Sequence, residues 1–218
     1  MNIFIDIETA TLTRPEDFSG KLFDIWKERV AKDEDPIKMY KEKWPIYAEY
    51  SQVICVSIWY ELSTGEIKMK SIYQNENMDE HWLLTDLKVI LDNDSIRNWS
   101  LIGHNILWFD VPFLVKRYIV NKIGLPYILR VWNMKPWEVK MQDTLKLWKS
   151  TWVMGAWLWL ICELIGVPSP KWDIDWSETS DAFFRWEYKR IAEYCERDVI
   201  AVSLVYKHFI NMKIISWS

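Results

Sequence analysis

The 218-residue sequence predicts an α/β fold, a mixed central sheet flanked by helices. Two apolar, β-branched runs, residues 2–7 and 52–60, have the composition of buried strands. A stripe over residues 182–209 (Phe184, Tyr188, Ile191, Cys195, Val199, Val202, Tyr206, Phe209) repeats at helical spacing. Between them, strand and helix patterns alternate, and alternation of this kind builds layered sheets rather than helix bundles.

Residues 2–7 are short and rich in isoleucine, and form the first strand. Residues 14–49 break the pattern: they are charge-rich and contain Pro15, Pro36 and Pro45. Helical spacing of Leu22, Phe23, Ile25, Trp26 and Val30 predicts a helix over 20–32, and 36–43 predicts a shorter one. This stretch reads as a helical insertion within one domain spanning 1–218. The strand at 52–60 turns at Thr64-Gly65 and returns over 66–73, a hairpin. A helix follows at 78–92, then a short strand at 101–104. Asp110 precedes Val111-Pro112, so a helix starts there with Asp110 as its N-cap and runs to about residue 122. Residues 127–132 predict one more strand. A helix at 156–165 ends at Gly166 with Pro168 beyond, residues 168–180 form a polar loop, and the helix at 182–209 closes the chain.

Composition narrows the function. Apolar residues make up 50% and charged residues 27%, which is globular rather than disordered. Lys and Arg number 27 against 31 acids, a net charge of −4. That excludes coating duplex DNA by charge alone. It leaves open a nucleic-acid enzyme whose acids hold cations, because a bound metal reverses the local field. The longest apolar run, Trp152–Cys162 interrupted by Gly155, is eleven residues and far short of the ~20 that span a bilayer. The N-terminal residues lack a basic segment and reach an acid by residue 6. Cys55, Cys162 and Cys195 are odd in number and widely spaced, which reads as buried free thiols in a reducing compartment. The expected setting is cytoplasmic, with no membrane partner.

Three groups of residues carry chemistry. Asp6 and Glu8 alternate with Ile5 and Ile7 and leave one strand face, roughly 7 Å apart. Such a pair is either a solvated strand end or a divalent-metal site. Asp110 is either a helix cap or a third acid of that site. Tyr194 and Asp198, at i and i+4, share one face of the last helix. Asp198 alone would pass for a solvated acid.

Taken together, Phe4-Ile-Asp6-Ile-Glu8-Thr9, Asn105-x3-Phe109-Asp110 and Tyr194-x3-Asp198 resemble the three motifs of the DEDD 3′–5′ exonucleases, with tyrosine in the third motif as in the DEDDy branch. Lys135-Pro-Trp-Glu138, Leu164–Lys171 and Ile191–Val199 add to the likeness. Nearly end to end, the chain is similar to stand-alone exonucleases related to the proofreading domain of B-family DNA polymerases. The resemblance implies a ribonuclease H-like fold and hydrolysis of single-stranded DNA from its 3′ end, with two divalent ions, Mg²⁺ or Mn²⁺, and release of nucleoside 5′-monophosphates. It implies metal ligands at Asp6, Glu8, Asp110 and Asp198, and a nucleophile-orienting hydroxyl at Tyr194. The backbone at Ile7 and Thr9 would meet the terminal 3′-hydroxyl, and Asn105 and Phe109 would line the terminal nucleotide. Phe109 would either stack on a base or pack in the core. Asp143 is a candidate for steadying the site, and His104 reads as structural. A 3′–5′ exoribonuclease and a catalytically inactive nucleic-acid-binding module are the alternatives. DNA is favoured over RNA, and a replication or repair partner is open.

The tryptophans depart from the pattern. There are 16 Trp and 6 Gly. Trp59 and Trp176 stand where the family pattern has glycine, and Trp157 and Trp159 where it has small or polar residues. They are core residues, or stacking platforms for single strands, or glycines written as Trp because a stop codon is read as Gly. Where a glycine's positive φ is required, Trp would be strained.

Overall fold

The computed structural model describes residues 1–215 apart from 33, 44–46, 63, 97, 133, 136–137, 152–153 and 171–177. Its sheet has five strands in the order β3-β2-β1-β4-β5: β1 (Asn2–Thr11), β2 (Ser51–Glu61), β3 (Ile67–Tyr73), β4 (Ser100–Gly103) and β5 (Met141–Asp143). The central β1 runs antiparallel to β2 and parallel to β4, and β5 continues parallel to β4. The sheet is mixed, as the sequence predicts. β1 extends four residues past the run read from sequence, because β2 pairs with it as far as Thr11↔Ser51. A bulge interrupts the β1–β2 ladder between Glu8 and Thr9.

Alternation along β1 sorts its side chains onto two faces. Ile3, Ile5 and Ile7 pack with Leu83, Leu84 and Leu87 of α3 (Glu80–Leu91) and with Val111, Phe113 and Leu114 of α4 (Asp110–Val120). Phe4 packs on the other face with Trp59, Ile102 and with Val199, Val202 and Tyr206 of α8 (Tyr188–Asn211). Burying each such side chain contributes roughly 1.5–3 kcal/mol, so β1 is clamped between two helical layers. Asp6 and Glu8 fall on the Phe4 side, facing α8. Trp59 is a packed strand residue: its ring meets Phe4 edge-on at 5.1 Å, with Lys207 Nζ 5.1 Å above it. The expected strain is absent there, since Trp59 does not have a positive φ. Trp176 lies outside the described residues.

The predicted insertion holds α1 (Gly20–Trp26), continued by a π-helical turn at Lys27–Ala31, and α2 (Pro36–Lys43). It builds an aromatic core of its own. Phe18 stacks on Tyr40 at 3.9 Å, and Trp26, fully buried, donates from Nε1 to Pro36 O at 2.9 Å.

Two sequence expectations are corrected. Residues 127–132 do not form a strand; Tyr127–Leu129 is a single 3₁₀ turn. Pro126 enters it at φ −56°, and Arg130 folds back to donate to Leu125 O. The strand beside β4 is instead Met141–Asp143. The helix expected over 182–209 is two: α7 (Thr179–Phe184) and α8, broken where Trp186 takes φ +69°. The remaining helices are α5 (Thr144–Lys149) and α6 (Leu158–Ile165), which ends in Gly166 at φ +72° as a left-handed cap. Among the described residues no helix is long and apolar enough to cross a membrane.

Candidate active site

Four carboxylates from three elements meet above the carboxyl-terminal half of β1. Asp6 and Glu8 come from β1, where the bulge directly after Glu8 re-aims the strand. Asp110 opens α4, and Asp198 lies mid-way along α8. Glu8, Asp110 and Asp198 are 7%, 3% and 9% exposed. The acids feel one another: burial raises Asp6 well above the ordinary carboxylate range, and Asp198, Asp110 and Glu8 raise it further. Burial, then Asp198, does the same to Glu8. Burial pushes Asp110 up to about 7, against opposing hydrogen bonds from the backbone at residues 110 and 7. Burial pushes Asp198 to about 7 as well, opposed by a hydrogen bond from Tyr194 and the nearby charge of Arg197. Tyr194 and Asp198 therefore do share one helix face and touch.

Asp110 is not the N-cap. Phe109 takes that position, and Asp110 is the first helical residue, its carboxyl turned toward the backbone of Ile7. The loop that delivers it is tightly held. A Cβ on Gly103 would lie 2.8 Å from Ile106 Cβ and 3.1 Å from Ile5 O, so only glycine lets β4 approach β1 so closely there. Asn105 turns the chain at φ +63°, a left-handed conformation that asparagine tolerates. Asp143, 3% exposed, accepts from the backbone N–H groups of Asn105 (2.9 Å) and Leu107 (3.2 Å), and from Leu145 (2.9 Å) and Lys146 (3.3 Å) at the start of α5. One carboxylate thus caps α5 and ties down the loop before Asp110. His104 bridges Thr144 Oγ1 (3.0 Å) and Ala156 O (3.1 Å). Burial lowers its basicity, which fits a neutral, structural imidazole.

Phe109 is half-buried; its ring lies 5.5 Å from that of Phe113 and packs against the main core. The side chains of Ile7 and Thr9 are buried, which leaves their backbone as the part available to a ligand. Asn105 is half-buried at the loop.

Sequence reasoning missed Cys195 as a member of this cluster. Its Sγ donates to Asp6 O at 3.4 Å and to Asp6 Oδ2 at 3.5 Å, and burial holds the thiol well above its ordinary range. The available signal was its place one residue after Tyr194 and three before Asp198, on the α8 stripe.

The residues suit divalent cations. Carboxylates that repel one another at a desolvated site are costly unless a positive charge lies among them. Among the described residues neither Asp6 nor Glu8 has an ion pair, and Glu8 accepts no hydrogen bond. Carboxylate oxygens of this kind are the donors that hard divalent cations take.

A mixed five-stranded sheet in this order, helices on both faces, is the ribonuclease H-like α/β fold. A family model matches residues 46–214, and the chain belongs to that family, described as predicted 3′–5′ exonucleases related to the exonuclease domain of PolB. The match takes in Asp110, Tyr194 and Asp198 and stops short of β1 with Asp6 and Glu8. Among curated proteins none matches the chain.

Proposed function

We propose that the protein is a metal-dependent 3′–5′ exonuclease that removes nucleoside 5′-monophosphates from the 3′ end of single-stranded DNA. The observation that carries this reading is the convergence of half-buried Asp6 with buried Glu8, Asp110 and Asp198, the β1 pair having no basic partner among the described residues. These four would hold two divalent ions. Such ions lower the pKa of a bound water and stabilise charge on the attacking and leaving oxygens of an in-line displacement. With those acids neutralised, the rest of the chain is neutral by charge count.

The chain's own residues then bind and orient. The Tyr194 hydroxyl, bonded to Asp198, positions the nucleophile; a phenol of pKa near ~10 is a poor base at neutral pH. Buried Ile7 and Thr9 offer backbone groups to the terminal 3′-hydroxyl. Asn105 and Phe109 line the terminal nucleotide, and the half-buried Phe109 ring stacks on a base, a sequence-tolerant contact. Asp143 holds the Asn105–Phe109 loop and so acts through it as a positioning residue.

The test uses 5′-labelled single-stranded, blunt and 3′-recessed DNA and a matched RNA, with Mg²⁺ or Mn²⁺, and with EDTA and Asp6→Ala as controls. A one-nucleotide ladder on DNA, absent in both controls, is the expected result. A ladder on RNA alone overturns the DNA assignment. No ladder from folded, metal-binding protein overturns the hydrolytic one.

A further inference from the structure

We infer that the face formed by α7, the turn after it and the start of α8 is a binding surface for single-stranded DNA, taking nucleotides upstream of the 3′ end against Phe184, Trp186, Tyr188 and Arg14. The direction of the strand is taken from the exonuclease reading, on which this assignment rests.

Four rings lie against one another there. Phe183 is 5.4 Å from Phe184 and 5.7 Å from Tyr188, and Trp186 is 6.0 Å from Tyr188. Arg14 joins them from the chain just beyond β1. It donates to Phe184 O at 3.1 Å, and its guanidinium lies over the Phe184 ring at 5.7 Å. Among the described residues no carboxylate pairs with Arg14. Beside it, Arg185 and Arg190 share one carboxylate, Glu187. Rings interleaved with guanidinium groups suit an unpaired strand, since every base has a π-face and every linkage a negative charge.

The backbone adds a separate observation. Trp186 N–H bonds Phe183 O and Glu187 N–H bonds Ala182 O, each at 3.0 Å, a helix ending whose left-handed position is ordinarily glycine. Here a tryptophan holds φ +69° and is 59% exposed. It costs conformational energy and buries little in return, and strain of that kind clusters at ligand clamps.

The surface also runs into the carboxylate cluster. Thr11, three residues past Glu8 on β1, bonds Ser180 of α7 at 3.0 Å. Phe183 and Tyr194 pack against the same buried group, which includes Ala10, Ile191 and Cys195. Tyr188 precedes Tyr194 by six residues, about 9 Å along the α8 axis.

Binding is read from the fluorescence anisotropy of a 5′-labelled oligothymidylate in EDTA, where nothing is cut, so it succeeds or fails apart from the hydrolysis test. Trp186→Gly is expected to weaken binding about tenfold. That change relieves the positive φ, so weaker binding there does not report a lost fold. Arg14→Gln is expected to lower the slope of log affinity against log salt by about 0.7. Arg130→Gln, an equal charge change on the exposed loop after α4, is expected to leave affinity and slope as in wild type. A wild type that does not bind overturns the surface. So does binding that is unmoved in both Trp186→Gly and Arg14→Gln, or moved as far by Arg130→Gln. A wild-type dimer that Trp186→Gly disperses in sedimentation, with oligonucleotide binding unmoved, gives the face to a second copy and overturns it too. A strand bound through this face by a protein that cuts nothing supports the surface and overturns the exonuclease reading alone.

Discussion

Single residues set the chemistry here, and two of them make sharp predictions. The Tyr194 hydroxyl stabilises charged Asp198, and without that bond burial acts unopposed except by Arg197. Tyr194→Phe is therefore expected to bind Mn²⁺ more weakly at pH below about 7 while folding normally, with the difference closing at higher pH; isothermal titration at several pH values checks it. Trp186 is a different case. It is 59% exposed at φ +69°, where a bulky side chain costs on the order of 1 kcal/mol or more and glycine costs little. Trp186→Gly is expected to raise the unfolding free energy by about 1 kcal/mol, read from urea midpoints. The other tryptophans do not act alike. Trp26 and Trp59 are packed, whereas Trp108 and Trp157 are 82% and 64% exposed. Core packing explains the first two. Nothing in the structure explains the last two.

Elements are held by a few buried polar contacts, and these give predictions of their own. The Arg117 guanidinium of α4 pairs with Glu80 of α3 at 2.6 Å and donates to Ala48 O at 2.9 Å, while Glu80 accepts from Val53 N–H of β2 at 2.7 Å. Two helices, a strand and the segment just before β2 meet at one ion pair. Arg117→Ala leaves Glu80 buried and unpaired, and is expected to cost about 3–5 kcal/mol in chemical denaturation. Asp143 is the corresponding joint beside the site. Asp143→Ala removes the α5 cap and two bonds to the Asn105 loop, an expected loss of about 2 kcal/mol, with cleavage falling further than stability alone explains. Most elements were legible in the sequence because their patterns are local: the hairpin around Thr64-Gly65, the stop at Gly166, the stripe on α8. β5 was not, since a three-residue edge strand has no periodicity to read and is defined by pairing with Leu101–Gly103. The break before α8 was also hidden, because tryptophan carries no signal for a left-handed turn.

The whole molecule is organised around carboxylates that raise one another's affinity for protons. Asp110 and Asp198, near 7 in the fold, lie near 4 once unfolded, so the folded chain binds more protons between those limits. Stability without metal is therefore greatest at the acid end of that window and falls as pH rises through it, by on the order of 1 kcal/mol or more for each group. The expected thermal scans show a melting temperature that drops from about pH 5 to about pH 8 in EDTA. Mg²⁺ or Mn²⁺ should restore it, and restore more at the higher pH. The acids themselves were readable from sequence only as an ordered set, since each alone has an ordinary explanation. The sulfur beside them was not, because its role depends on how α8 is rolled against β1. That same contact has a consequence for how the protein is made. Asp6 and Asp198 lie at opposite ends of the chain, one on the first strand and one on the last helix. Synthesis runs from the amino terminus, so a nascent chain carries half of its acidic centre long before the other half leaves the ribosome. No partial product that lacks α8 can assemble the set, because Asp198 belongs to that helix.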